Sequence, residues 1–241
     1  MKYAPYSFSK IKTFFECQKK FDFTYVNKID IDKDYTDPRY FVRGRFLHSY
    51  IAERLKGGDG LDMGSYKIEE EEKMNLVNVA ENALENEYIG LTFTYDFNRV
   101  ERQIFLGPEL EPFEKKAGCA MTGYVDYYAF KDDFGAIVDW KTGKFRKDPC
   151  FSQLKLYAIW LFQKQPQLTE IDLVFYYVEH EELVVKTVTK MDIVDMMEEL
   201  TTKIDTIENT TEFEINETKF CSDCQFYNTC IEEFGIGLLK S

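Results

Sequence analysis

No apolar run in the 241 residues approaches the roughly 20 that a membrane-spanning helix needs. The opening residues, Met1 to Ser7, lack the continuous apolar stretch of a secretory signal. Both absences point to a soluble, intracellular (cytoplasmic) chain with no membrane partner. Without an export signal, the six cysteines lose their usual reading as disulfides. In a reducing compartment, clustered cysteines more often bind metal. Cys119 and Cys150 stand apart and read as small buried hydrophobes. Internal repeats and low-complexity linkers are also missing, so the length accommodates one domain with elaborations.

Basic residues are in deficit, and the net charge is −13. Taken alone, that opposes a polyanionic partner, but the distribution is uneven. Residues 1–56 carry 12 basic and 7 acidic groups, and residues 112–164 carry 9 and 6. The acidic excess lies in 57–111 and 165–241. The local field decides whether a phosphate backbone can approach.

The first ninety residues read as helical. Ser7 or Ser9 is a candidate N-cap before an apolar stripe of Ile11, Phe14 and Phe15. Residues 30–38 are polar and read as a loop. A helix is expected from Phe41 to Lys56, with Phe46, Leu47, Tyr50, Ile51 and Leu55 at helical spacing and Gly57-Gly58-Asp59-Gly60 stopping it. Another is expected from Glu69 to Tyr88, with Met74, Val77, Ala80, Leu84 and Tyr88 in one stripe. Then β-branched and aromatic residues predict strands over 99–106, 122–131 and 135–141. A helix over 152–163 follows, then a hairpin of 172–179 and 183–189 turning at His180-Glu181-Glu182, and a helix over 192–207. This order predicts an α/β fold. Residues 1–90 form a helical elaboration, 91–190 the sheet core, and 219–230 a cysteine segment. Phe21, Phe23 and Tyr25, beside Lys19 and Lys20, fit either core packing or base stacking, with core packing preferred.

Asp126 ends Gly123-Tyr124-Val125-Asp126 within one expected strand, and Asp139-Trp140-Lys141 closes the next. Residues i and i+2 of a strand share a face, so Asp139 and Lys141 point together and Trp140 points away. Two carboxylates can hold a hard divalent cation such as Mg²⁺ or Mn²⁺. A nearby ammonium can offset charge that builds on a phosphate. Asp-x-Lys alone more often marks an exposed ion pair. Its company is a histidine in Gly44-Arg45-Phe46-Leu47-His48, one of only two in the chain, and Gln153 and Tyr157 one helical turn apart. Glu101 is either a further acidic group of this set or an exposed strand carboxylate.

The ordered set resembles the RecB-type branch of the PD-(D/E)XK nucleases. That branch includes nuclease domains of recombination complexes and iron–sulfur CRISPR-associated exonucleases. The resemblance runs from Ser9 to Cys230. It implies a restriction-endonuclease-like core, with a mixed central sheet flanked by helices. It implies His48, Asp126, Asp139 and the Trp140 carbonyl as ligands of Mg²⁺ or Mn²⁺, Lys141 as the catalytic lysine, and Gln153 and Tyr157 as positioning groups. Many relatives carry Glu where this chain has Asp139. The implied activity is exonucleolytic hydrolysis of DNA, on single strands or free ends. The implied protein partners belong to recombination, replication or CRISPR adaptation, and a phage-encoded source fits as well.

Cys17, Cys221, Cys224 and Cys230 form a one-plus-three set of thiols. Four thiolates suit tetrahedral zinc or an iron–sulfur cluster. Zinc ribbons usually pair two Cys-x2-Cys units, which this spacing does not match. The resemblance implies a 4Fe-4S cluster, with zinc as the lesser choice. The competing functional reading is an inactive, cluster-containing module of the same fold that binds DNA or protein.

Overall fold

A computed structural model describes residues 1–33, 35, 39–58 and 63–235. Five strands form one sheet in the order β1-β2-β3-β4-β5. They are β1 (Phe97–Leu106), β2 (Met121–Lys131), β3 (Phe134–Lys141), β4 (Glu170–Tyr177) and β5 (Glu182–Thr189). Neighbours are antiparallel except β3 and β4. That parallel pair needs a crossover, which a helix over Ser152–Lys164 supplies. The sheet is therefore mixed and flanked by helices, the expected α/β architecture.

Each face of the sheet carries its own core. On one face lie α1 (Phe8–Glu16), the short α2 (Gln18–Phe21), the crossover helix and a helix over Ile193–Asn209. On the other lie α3 (Arg39–Leu55), α4 (Glu70–Leu84) and α5 (Glu87–Phe93). The crossover helix, α6, is apolar nearly all round, as a helix buried between sheet and helix layers must be. The Ile193–Asn209 helix, α7, is amphipathic and buries Met196, Ile204 and Ile207. A chain segment of five residues in π-helical form, Asp22–Val26, follows α2.

Most expected elements are found within one or two residues. Several expectations fail for identifiable reasons. Phe15 is exposed, so the α1 stripe is Ile11 and Phe14 only. The span 69–88 is two helices, because Asn86 leaves the helix and caps a new one by accepting from the Tyr88 and Ile89 N–H groups. The inward face of α4 is Lys73, Leu76, Ala80 and Ala83, and Met74 is exposed. Cys119 is buried as expected, whereas Cys150 is exposed, in the loop before α6. Phe21 and Phe23 are core residues, which removes them as a stacking surface. Of the two expected breaks around α3, residues 34, 36–38, 59 and 60 lie outside the described residues.

The C-terminal segment is anchored by apolar and polar contacts of its own. A last helix, α8 (Tyr227–Phe234), follows Phe226, which is buried edge-on against Phe23 at 5.4 Å. Asp32 accepts from the Asn228 N–H (2.7 Å) and from the Thr229 hydroxyl (2.8 Å), pinning the start of α8. Phe213 stacks on Phe21 at 5.9 Å. Both ends of the chain thus meet by packing. Phe226→Ala should destabilise the metal-free protein by about 3 kcal/mol, as loss of a buried phenyl does. Urea unfolding checks this, and a loss below about 1 kcal/mol would mean a loosely held tail.

Helices α6 and α7 are clamped by Glu199, which accepts from Lys155 (2.8 Å) and Lys203 (2.6 Å). Those two lysines hold its carboxyl down from 4.5 to about 2, with burial opposing. A depressed carboxyl contributes stability that is present above about pH 4.5 and lost as pH falls toward 2. The gap in urea stability between wild type and Glu199→Gln should therefore narrow from neutral pH to about pH 3. A gap constant with pH would overturn this role of the clamp.

Candidate active site

The sheet is forked. The β2–β3 ladder runs from the Lys131–Phe134 pair to the Tyr127–Val138 pair and stops. Asp126 and Asp139 are the next residue on each strand, so both carboxylates stand where the strands part. The paired strands β1 and β2 also turn over at this level. Glu101 and Asp126 face each other across the pair but drop out of its ladder. On β2, Val125 and Tyr128 pack in one core while Tyr127 and Ala129 pack in the other. Strict alternation would not place them so. The cause is visible at Glu101, whose φ is +51°. A non-glycine residue there carries backbone strain of about 1–3 kcal/mol and re-aims the strand.

The fork lets side chains from both helical layers reach the same point. From α3, His48 Nδ1 lies 3.2 Å from Asp126 Oδ2. The same oxygen accepts from the Trp140 backbone N–H at 3.1 Å. From α6, Tyr157 accepts from Gln153 Nε2 at 3.0 Å, and its ring lies against Gly123 of β2. Lys141 Nζ sits 2.6 Å from Asp139 Oδ2 and 4.8 Å from the centre of the Phe175 ring. Trp140 points to the opposite core, edge-on to Tyr176, as i and i+2 alternation requires. His48, Asp126, Asp139, Lys141, Gln153 and Tyr157 are thus brought together.

Two glycines make the approach possible. A Cβ on Gly123 would lie 2.6 Å from Tyr157 Cε1, so only glycine lets that ring lie against β2. A Cβ on Gly44 would lie 3.2 Å from Thr142 Oγ1, where α3 passes close to the end of β3.

The electrostatics are those of a crowded, half-buried acidic site. Asp139 is only 3% exposed. Burial raises its pKa, the Asp126 charge adds to that, and Lys141 and His48 offset it. Burial opposes a charge on His48, but Asp126 and Asp139 outweigh it and push its pKa up to about 9. Glu101 is raised by burial and by Asp126, which puts it within the field of the site. The Tyr157 hydroxyl is held well above its usual range by burial, with both aspartates adding to that shift.

The one close polar partner of the buried Asp139 Oδ2 among the described residues is Lys141 Nζ, a contact that compensates charge as a divalent cation also would. Among the described residues, no three His, Cys, Asp or Glu side chains converge tightly enough to hold an ion as they stand. The His48–Asp126 and Lys141–Asp139 contacts close on the carboxylates instead.

The sequence matches the PD-(D/E)XK nuclease superfamily over residues 5–231. This chain belongs to that superfamily. Membership carries the coarse activity, metal-dependent nuclease action on DNA. No curated protein matches the chain. Among solved structures, the crystal structure of SSO0001 shares 13% identity over 81% of this chain and 96% of its own, with a TM-score of 0.36.

The PD-(D/E)XK chain also gathers its four candidate cysteine ligands. Cys17, between α1 and α2, lines one cavity of about 420 Å³ with Cys221, Cys224 and Cys230. All four are free thiols. Burial raises the Cys224 thiol and pushes Cys230 up to about 12, with the neighbouring cysteines adding to both shifts. His180, by contrast, accepts from the Phe145 N–H at 3.3 Å and stands apart from this group.

Sequence reasoning left Glu101 undecided and missed Gly123 and the Trp140 N–H. The left-handed conformation of Glu101 has no signal in a residue type that rarely adopts it. The glycine before an exposed tyrosine in an otherwise apolar strand was the one readable sign of a close approach. Gly123→Ala should cost about 1–3 kcal/mol through overpacking on Tyr157. That loss should shrink when combined with Tyr157→Ala, as urea unfolding of the double-mutant cycle will show. Additive losses would refute the contact.

Proposed function

We propose that this chain is a divalent-metal-dependent deoxyribonuclease that digests DNA exonucleolytically, from single strands or free ends, in the manner of the RecB-type branch. The observation that carries the reading is the convergence of the buried Asp139, its Oδ2 beside Lys141, with Asp126 and His48 at the fork. One imidazole and two carboxylates suit Mn²⁺ or Mg²⁺. His48, Asp126, Asp139 and the Trp140 carbonyl would hold the ion. The carbonyl is included because, in an extended residue, N–H and C=O face the same neighbouring strand. The Trp140 N–H already faces Asp126 in the gap. A bound divalent ion polarises the scissile phosphate and lowers the pKa of a coordinated water.

The chain's own groups do the rest. Lys141, half-buried beside Asp139, is placed to offset negative charge developing on the phosphate. Gln153 donates to the Tyr157 hydroxyl, and the Tyr157 ring packs on Gly123 of β2, three residues before Asp126. Residues 1–90 supply His48, and residues 91–190 supply the sheet, so the chain acts as one nuclease unit. Asp139→Ala and Lys141→Ala should each lower cleavage of end-labelled DNA with Mn²⁺ by at least about a hundredfold. Lys141→Ala should retain Mn²⁺ binding, measured by calorimetry, while Asp139→Ala loses it. Native rates in either variant would sink the assignment. Equal digestion of circular and linear single strands would remove the exonuclease part.

The cysteine cavity is proposed to hold a 4Fe-4S cluster. A single zinc ion draws four sulfurs to about 2.3 Å from one point. The one-plus-three spacing of Cys17 with Cys221, Cys224 and Cys230, all lining one cavity, suits a cluster better than the paired Cys-x2-Cys units of zinc ribbons. Cluster coordination would add to folding energy by joining Cys17 to the C-terminal segment. Iron and acid-labile sulfide, assayed after anaerobic purification, should be lost in Cys17→Ser and kept in Cys150→Ser. Zinc without iron in the wild type would replace the cluster with an ion.

A further inference from the structure

A hollow of about 520 Å³ opens beside the end of β3. Its walls are Thr142, Gly143 and Lys144, which directly follow Lys141, and Arg39, Tyr40 and Arg43 from the first turn and a half of α3. Glu179 and His180 close the side toward β5. The two basic segments of the sequence therefore meet here. Arg43 pairs with Glu72 (3.0 Å) and Glu179 (2.8 Å), and Arg39 pairs with Glu72, so both guanidiniums are held in place and partly neutralised. Lys144 is exposed and has no carboxylate partner among the described residues.

Beside these cations stand two aromatic rings in water. Tyr40 is 57% exposed and Phe41 46%, with ring centres 4.4 Å apart. Tyr40 lines both the hollow and the cysteine cavity, and Phe41 lines the cysteine cavity alone, so Tyr40 stands between the two. The two rings are tilted by 41°, so the flat face offered to the hollow is that of the exposed Tyr40 ring alone. A flat aromatic face next to an unpaired ammonium, one step from an Asp-x-Lys site, fits one chemistry well: a base with its phosphate.

We infer that the hollow takes an unpaired nucleotide flanking the scissile phosphate, with its base stacked on Tyr40 and its phosphate facing Lys144. Base stacking on an aromatic side chain is tolerant of sequence and needs a base freed from its partner. The hollow is within the range of small-ligand sites, about 300–1,000 Å³, and does not admit a duplex. Tyr40 is then a positioning residue that selects for an unpaired strand at the site. This inference rests on the nuclease reading and adds a residue-level basis for strand choice.

The test is binding in EDTA by the full chain, so that no cleavage is needed. Fluorescent oligothymidylate, the same strand with one abasic position moved along it, and a blunt duplex are the probes. Tyr40→Ala should weaken oligothymidylate binding about tenfold, and Tyr40→Phe should restore it. At one abasic position the wild type should lose the same factor and Tyr40→Ala nothing further. Lys144→Gln should lower the slope of log affinity against log salt by about 0.7 for the single strand. Wild-type affinity in Tyr40→Ala, or an equal loss on the duplex, overturns the proposal. Failure of the nuclease reading shows separately, as absence of Mn²⁺-dependent cleavage by the wild type.

Discussion

Everything at this site depends on β2 leaving β3 after the Tyr127–Val138 pair. An unbroken ladder would satisfy the backbone around Asp126 and Asp139. The fork opens that backbone instead and sets two carboxylates where the strands part, Asp139 buried there beside Lys141. It also frees the Trp140 N–H to reach a side chain rather than a strand. The strain at Glu101 belongs to the same device, since the turnover of β1 and β2 carries Asp126 out of its regular alternation.

The two cores hold the fork open from opposite sides. Phe46, Leu47, Tyr50 and Ile51 bury α3 against one face and bring His48 to the gap. Leu154, Ala158 and Leu161 bury α6 against the other and bring Tyr157. Neither helix could reach a closed sheet's interior. Burial there, with the Asp126 charge added, raises the pKa of Asp139, and the two aspartates favour the cation on His48. The site thus gathers positive charge around its carboxylates whichever cation supplies it.

The ends of the chain are joined by ordinary packing before any cluster is considered. Glu208 of α7 accepts from the Lys2 and Tyr3 N–H groups and from the Tyr6 hydroxyl, and Phe213 stacks on Phe21. Phe226 and the Asp32 cap then bring the cysteine segment alongside Cys17. Four thiols lining one cavity follow from contacts that none of them makes.

Local pattern alone determined a good deal. Alternation placed Asp139 and Lys141 on one face and Trp140 on the other, and helical spacing put Gln153 within reach of Tyr157. These are one-element relations, governed by a period of two or of 3.6 residues. Asn86 broke the longest expected helix because its capping bonds outweigh continuation of the periodic pattern. The buried face of α4, chosen wrongly at Met74, was settled by which side of the helix the sheet lies on. Only the tertiary structure decided that Asp126 and Asp139 meet at a fork, that Gly123 gives way to Tyr157, and that Tyr40 and Lys144 line one hollow. Those relations join residues far apart in the chain, and their geometry is set by packing between layers, which no local period encodes.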